Sequence, residues 1–335
     1  MKLNQIIRQQ IQSSNNWISF AKFMEMALYT PKIGYYNNLK FSADFVTAPE
    51  ISSLFGQTIA QTIMPTKPAN IVEFGAGSGK MAIDILLAFN NLSGKYYIVE
   101  VSPNLRHQQQ RNIKKHAPEL LKKVKWLNQM PENFEGVILL NELIDAIPAN
   151  RFIVEDNQIF SLGVSINSQD KFCFKKNEQI SLSLPELPNG YVSEYRPLAK
   201  TFVQNVARNF KSGLMLIIDY GYEAYEYYHP ERVNGTLTCF KNHQQNHNPF
   251  INIGRQDISV HVDFSQLAQT AVDCGLTINN MQTQANFLLE NGIVELAQQK
   301  DLNNTIIRLK TSAEIQKLTM PGQMGELIKV LTLSA

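Results

Sequence analysis

Ile71-Val72-Glu73-Phe74-Gly75-Ala76-Gly77-Ser78-Gly79 decides how the rest of this chain is read. Its first four residues form the compact, mostly apolar run of a strand buried on both faces. Glycines at alternate positions then permit a tight turn, and a helical pattern opens near Lys80. Working outward, the same succession recurs. YYIVEV (96–101), VKWL (124–127) and GVILLN (136–141) are short apolar strands, and Ser102 followed by Pro103 starts a helix after the first of them. Strands alternating with helices run parallel in one doubly wound α/β sheet. LMLIID (214–219) and LIKVLTL (327–333) extend that sheet, after a helix near 197–210 and another capped by Asp263 and stopped at Gly275. Seven core strands are expected, with helices on both faces.

Around this core the rhythm differs. Residues 1–65 read as an N-terminal helical region, interrupted by a turn-rich stretch at 30–43. Trp17, Phe20, Phe23, Met24, Ala27 and Leu28 fall at helical spacing, as do Ile51, Leu54, Phe55, Ile59 and Ile63. Thr47 and Glu50 stand three apart, as in a capping box. Residues 151–195 read as an inserted β-hairpin region, carrying RFIVEDNQIFSLGVSI and KFCFKK. The expected organisation is therefore a core of 66–150 and 196–335, with a polar and aromatic substrate loop at 220–262.

Three ligand classes compete for the glycine loop. A Walker loop would need glycine at Phe74 and serine or threonine at Met81, so that reading fails. A dinucleotide loop would place its third glycine one residue later, and Glu73 would repel a pyrophosphate. E-x-G-x-G-x-G suits S-adenosylmethionine, which carries an ammonium and a sulfonium but no phosphate. Glu100, which lies 25 residues after Gly75 at the end of the next strand, can accept hydrogen bonds from ribose hydroxyls. The competing account is a tight strand–helix turn with surface acids.

Composition narrows the classes further. The chain has 335 residues with 44% hydrophobic, enough for a large core, and 31 Lys and Arg against 29 Asp and Glu. A net charge of +2 does not advertise a nucleic-acid binder. Cys173, Cys239 and Cys274 are scattered, which argues against a disulfide framework or zinc site and for a reducing compartment. The apolar runs fall far short of the roughly 20 residues of a membrane span, and MKLNQIIRQQIQ, interrupted by Asn and Gln, lacks the continuous apolar region of a signal peptide. Sequons at Asn91, Asn234 and Asn303 are therefore read as chance matches.

FMEMALYTPKIGYY (23–36), DFVTAPEISSLFG (44–56), VEFGAGSGKM (72–81), IVEVSPNLR (98–106), NELIDAIPANRF (141–152) and LIIDYGY (216–222) occur in this order, followed by GTLTCFKNH (235–243), DISVHVDFSQL (257–267) and MGELIKVL (324–331). Together they resemble the MidA-type class I methyltransferases, which include the mitochondrial assembly factor of respiratory complex I. The resemblance implies a seven-stranded fold with its last strand antiparallel, an added substrate region, and S-adenosyl-L-methionine as cofactor. It implies methylation of a protein arginine, with a complex I-type subunit as partner. It also implies cofactor contacts from Glu73, Gly75, Ala76, Gly77, Gly79, Glu100 and Val101, with Thr47 and Glu50 closing over them. Ala76 stands where the family usually has proline, and Leu143 and Ile144 where aromatics are common.

The loop after the fourth strand supplies Asn141, assigned to the methionine end of the cofactor, and Glu142 and Asp145, assigned to the acceptor as catalytic carboxylates. The plainer account has Glu142 capping a turn and Asp145 solvated. Asp219 either faces the same cleft or is a simple strand-end acid. Tyr220, Tyr222, Tyr225, Tyr227 and Tyr228 either line an acceptor groove or pack a long loop. His243 and His247 lack the H-E-x-x-H signature, and His261 reads as structural, so no metal site is expected. The leading reading is a protein arginine methyltransferase of a bacterial-type cytoplasm, mitochondrial in eukaryotic relatives. A cofactor-binding docking factor with little turnover and a small-molecule methyltransferase are the alternatives, and the sequence leaves the oligomeric state open.

Overall fold

The computed structural model describes residues 2–38, 47–89 and 92–335. Part of the turn-rich stretch (39–43), the start of the DFVTAPE motif (44–46) and the Asn91 sequon lie outside the described residues. The chain divides into two compact units, one of Val46–Ile144, Val203–Gly221 and Leu267–Ala335, the other of Met1–Phe45, Asp145–Phe202 and Tyr222–Gln266.

The first unit carries the sheet. Its strands are β1 (Ile71–Phe74), β2 (Tyr96–Val99), β3 (Val124–Leu127), β4 (Phe134–Asn141), β5 (Phe210–Tyr222), β6 (Thr277–Thr283) and β7 (Ile328–Ser334). They lie in the order β6-β7-β5-β4-β1-β2-β3. β1 pairs parallel with β2 and β4, β2 with β3, and β4 with β5, whereas β7 runs antiparallel to both β5 and β6. The expected doubly wound sheet with an antiparallel last strand is therefore present. From β1 the chain moves outward to β3, then returns to place β4 on the other side of β1. The carboxyl ends of β1 and β4 thus flank the point where strand order reverses, which is where open α/β sheets bind ligands.

All of β1 is buried, as its apolar run requires. The helices α1 (Ser53–Ile63) and α2 (Lys80–Phe89) share the core of this unit with the sheet, through Phe55, Ile59, Ile63, Ala82, Ile85 and Leu86. A third helix, α3 (Pro103–His116), starts as expected with Ser102 Oγ accepting from the Leu105 amide. The capping box expected at Thr47 is not formed. Ala48–Ile51 is a separate single turn, and the Thr47 side chain makes no cap bond. Ser52, in extended conformation, starts α1 instead, its Oγ accepting from Leu54 N.

The second unit contains the helices Leu3–Ser13 and Phe20–Tyr29, a four-stranded antiparallel sheet and a three-stranded one. The four-stranded sheet uses Phe172–Gln179, Gln158–Ile166, Asn150–Glu155 and Val192–Tyr195 in that spatial order. Arg151 and Glu194 face each other across two of these strands as an ion pair of 3.0 Å, with the two side chains 7% and 0% exposed. Thr236 N and the Thr236 hydroxyl donate to the other oxygen of Glu194, so the buried carboxylate is satisfied on both sides. No helix among the described residues is long and apolar enough to cross a membrane.

Candidate active site

The glycine loop departs from β1 with φ of +63° at Gly75, +53° at Gly77 and +83° at Gly79. These values lie in the left-handed region that a side chain disfavours. At Gly75 a Cβ would also stand 2.8 Å from Leu143 Cδ1 on the loop after β4. Gly75 N donates to Val99 O at 3.0 Å, and Gly79 N closes the turn onto Ala76 O at 2.7 Å. Helix α3 holds the loop from outside. Gln109 Nε2 donates to Gly77 O at 3.0 Å and Asn112 Nδ2 to Ser78 O at 2.9 Å.

Two buried acids lie beside this turn. Glu73 accepts the Tyr96 hydroxyl proton at 2.7 Å and is pushed up to about 7, chiefly by burial and further by the charge of Glu100, with the Tyr96 bond opposing. The Tyr96 hydroxyl is itself raised by burial and by Glu73. Glu100 is raised by burial, while the Ser102 amide at 2.8 Å, Gln109 Nε2 at 3.2 Å and Arg106 oppose that shift. Val101, immediately after it, leaves an apolar side chain 73% exposed.

Glu50 meets the loop from the single turn Ala48–Ile51. Its carboxylate accepts from the Ser78 hydroxyl, and its carbonyl accepts from Lys80 Nζ at 3.2 Å. Thr47 precedes that turn as its extended flank.

Beyond β4, Asn141 is half-buried and its Oδ1 has no hydrogen-bond partner among the described residues. Its Nδ2 approaches Glu142 Oε1 at 3.4 Å, and the same oxygen accepts from Ala48 N at 3.0 Å. Glu142 adopts φ +46°, a strained setting for a residue with a side chain. Asp219 does not present a free carboxylate to ligand. It is fully buried, and its oxygens accept from the amides of Leu143, Ile144 and Tyr220, which fixes the loop carrying Asn141 and Glu142.

In the second unit, the Asp145 carbonyl accepts from Val260 N at 3.2 Å, and its side chain is half-buried. The five tyrosines do not form one groove. Tyr227 and Tyr228 are core side chains around Phe152, their hydroxyls raised by burial; Tyr222 packs partly buried against the same cluster, and Tyr225 is 69% exposed. Tyr220 packs against the core of the first unit. His261 lies against Tyr222 with ring centroids 5.3 Å apart, and burial, then Arg232 and Arg196, lower it to about 4, so it is neutral at pH 7. His243 sits in the turn of a hairpin, while His247 Nδ1 meets Leu237 O at 2.9 Å, so their i,i+4 spacing does not place them on one helix face. Among the described residues no His, Cys, Asp and Glu side chains group to hold a metal ion.

Sequence reasoning overlooked Gln109. The available signal was its place on the buried stripe Leu105, Gln109, Ile113, where a lone amide must find internal partners.

The residues present fit S-adenosylmethionine. Left-handed glycines clear space against the backbone, two acids suit a cationic and ribose-bearing ligand, and an orphaned amide oxygen waits at the strand-order reversal. Residues 51–282 match the family of S-adenosyl-L-methionine-dependent methyltransferases. A crystal structure of a Burkholderia thailandensis protein bound to S-adenosyl-homocysteine superposes with a TM-score of 0.93, at 35% identity, covering 99% of this chain and 92% of that one. A native crystal structure from the same organism gives 0.94 at 36% identity, covering 99% and 91%. Protein arginine methyltransferase NDUFAF7, mitochondrial, of Danio rerio is 28% identical over 92% of this chain and 81% of its own length. The Drosophila melanogaster homologue is 27% identical over 94% and 81%. This chain belongs to the MidA-like family of S-adenosyl-L-methionine-dependent methyltransferases, and S-adenosylmethionine is its cofactor.

Proposed function

We propose that this methyltransferase acts on an arginine side chain of a protein. The observation that carries this reading is the likeness, over more than nine-tenths of the chain, to proteins named as protein arginine methyltransferases. The site is chemically suited to it. The cofactor supplies an electrophilic methyl group. What the protein must add is an oriented, nucleophilic guanidinium, because in-line transfer draws most of its rate from positioning. A carboxylate pairs with a guanidinium through two parallel hydrogen bonds. Glu142 and Asp145 are assigned that task. Asn141 Oδ1 is assigned to the methionine end of the cofactor, with Glu73. Glu100 takes the ribose hydroxyls and Val101 an apolar face of the base. Gly75, Ala76, Gly77 and Gly79 give the ligand its approach to the backbone, and Thr47 and Glu50 close the turn over it.

The partner is then a protein presenting an accessible arginine; a respiratory complex subunit is the candidate the family resemblance points to. The three free cysteines suit a reducing compartment such as a bacterial cytoplasm. The test is transfer of labelled methyl from S-adenosylmethionine into lysate of a strain lacking the gene, using wild type and Glu142→Ala with Asp145→Ala. A discrete labelled protein, absent with the variant and yielding methylated arginine on hydrolysis, supports the reading. Label in a small-molecule fraction, or no label by an enzyme that binds cofactor, overturns it in favour of a different acceptor or a docking role.

A further inference from the structure

Gln109 has no exposed surface and sits at the meeting point of three elements. Its Nε2 donates to Gly77 O at 3.0 Å and to Glu100 Oε2 at 3.2 Å, while its Oε1 accepts the Trp126 indole proton at 2.9 Å from β3. These partners fix the amide in one orientation. An indole N–H can only donate, and a carbonyl and an ionised carboxylate can only accept, so a flipped amide would oppose all three. The loop lies close to α3 here: a Cβ added at Gly79 would stand 3.4 Å from Gln109, in van der Waals contact. One turn along the same helix, Asn112 holds the next loop carbonyl, that of Ser78.

We propose that Gln109 is a positioning residue for S-adenosylmethionine, which sets the glycine loop and the ribose-binding acid Glu100 at a fixed separation, with Trp126 locking the amide that joins them. The inference rests on the reading of the loop and Glu100 as the cofactor site. A carbonyl drawn back onto Gln109 turns its peptide so that the opposite, N–H side faces away from α3. The Glu100 carboxylate, held on one oxygen by this amide and on the other by the Ser102 amide at 2.8 Å, has its plane fixed relative to the loop. Two parts of the site from different strands therefore reach the ligand already aligned, without ordering cost at binding.

The test is calorimetric titration of the full chain with S-adenosylmethionine and S-adenosylhomocysteine. Gln109→Glu keeps the shape but sets an anion against Gly77 O and Glu100. Affinity for both ligands falls by the same factor, on the order of 10-fold or more at neutral pH. The deficit relative to wild type narrows as the pH is lowered and the new carboxyl regains a proton to donate, a response that lost packing alone does not give. Trp126→Phe, which removes only the lock, weakens binding by a smaller factor, about 3-fold. Glu100→Ala in parallel separates the two layers of the argument. Wild-type affinity in Glu100→Ala overturns the ribose reading. Wild-type affinity in folded Gln109→Glu, with Glu100→Ala weakened, overturns the role of Gln109. Should Gln109→Glu fail to fold, unchanged affinity in Trp126→Phe overturns it instead.

Discussion

The carboxylate of Asp219 accepts the amide proton of Ile144 at 2.7 Å, from a residue 75 positions earlier in the chain. The same oxygen takes the Leu143 amide at 3.1 Å, so the end of β5 sets the path of the loop after β4. Asp219→Ala leaves one buried and two part-buried amides without this acceptor, and the expected destabilisation is about 2–4 kcal/mol. Chemical denaturation measures it. A loss below about 1 kcal/mol would mean the loop holds its course without this acid.

Glu142 is expected to matter for the reaction more than for the fold. Glu142→Gln keeps an oxygen for the Ala48 amide but loses the charge a guanidinium needs. Methyl transfer to the acceptor should drop by roughly 100-fold, while cofactor affinity and melting temperature stay near wild type. Calorimetry and filter-bound label check the two halves separately, and an active Gln variant would remove Glu142 from the chemistry.

Glu73 makes the cofactor-free protein sensitive to pH. Its carboxyl moves from 4.5 in the unfolded chain to about 7 in the fold. Between those values the folded state keeps a proton that the unfolded state has released, so stability falls as pH rises through the window and levels off above it. The full effect is about 3 kcal/mol. Asp84, also raised to about 7 by burial, contributes a second slope of the same sign. Glu73→Gln should therefore reduce the decline in melting temperature between about pH 5 and 8 without abolishing it. Affinity for the cationic cofactor should strengthen in wild type over the same rise, and a Gln variant with the wild-type slope would contradict this account.

In the second unit, Arg151→Met strands Glu194 in the interior without its cation. The expected cost is about 3 kcal/mol, and Arg151→Met with Glu194→Met should recover part of it. Thermal denaturation of the three variants decides, and additive losses would mean the pair does not act as a unit.

Much of this was legible in the sequence where burial leaves a pattern. IVEF is β1 residue for residue, and GVILLN lies within β4. YYIVEV overran β2 by two residues, because Glu100 and Ser102 already turn the chain into the cap of α3. β6 (TINNMQT) carries no apolar alternation; it is an edge strand with its first four residues exposed, so nothing in its composition had to record its place. Thr47 has the spacing of a cap, yet Ser52 performs that task, because the intervening single turn ends before α1 begins. Glu73, Glu100 and the glycines are proposed as a ligand site because local spacing groups them. Gln109 and Asp219 bond to partners far off in the chain, among them Gly77 and Trp126 for the first and Leu143 and Ile144 for the second, and one sequence does not display such distances.

β7 has its own consequence for how the molecule is made. It is the last strand in the chain, yet it lies between β5 and β6. During synthesis the ribosome delivers β1 to β4 by Asn141, while β5 waits with an open flank until Ile328–Ser334 emerges. The half of the sheet that carries the glycine loop is thus available early, and the other half is a nascent-chain intermediate with an unfilled slot, the form in which a chaperone would meet it and in which aggregation would start.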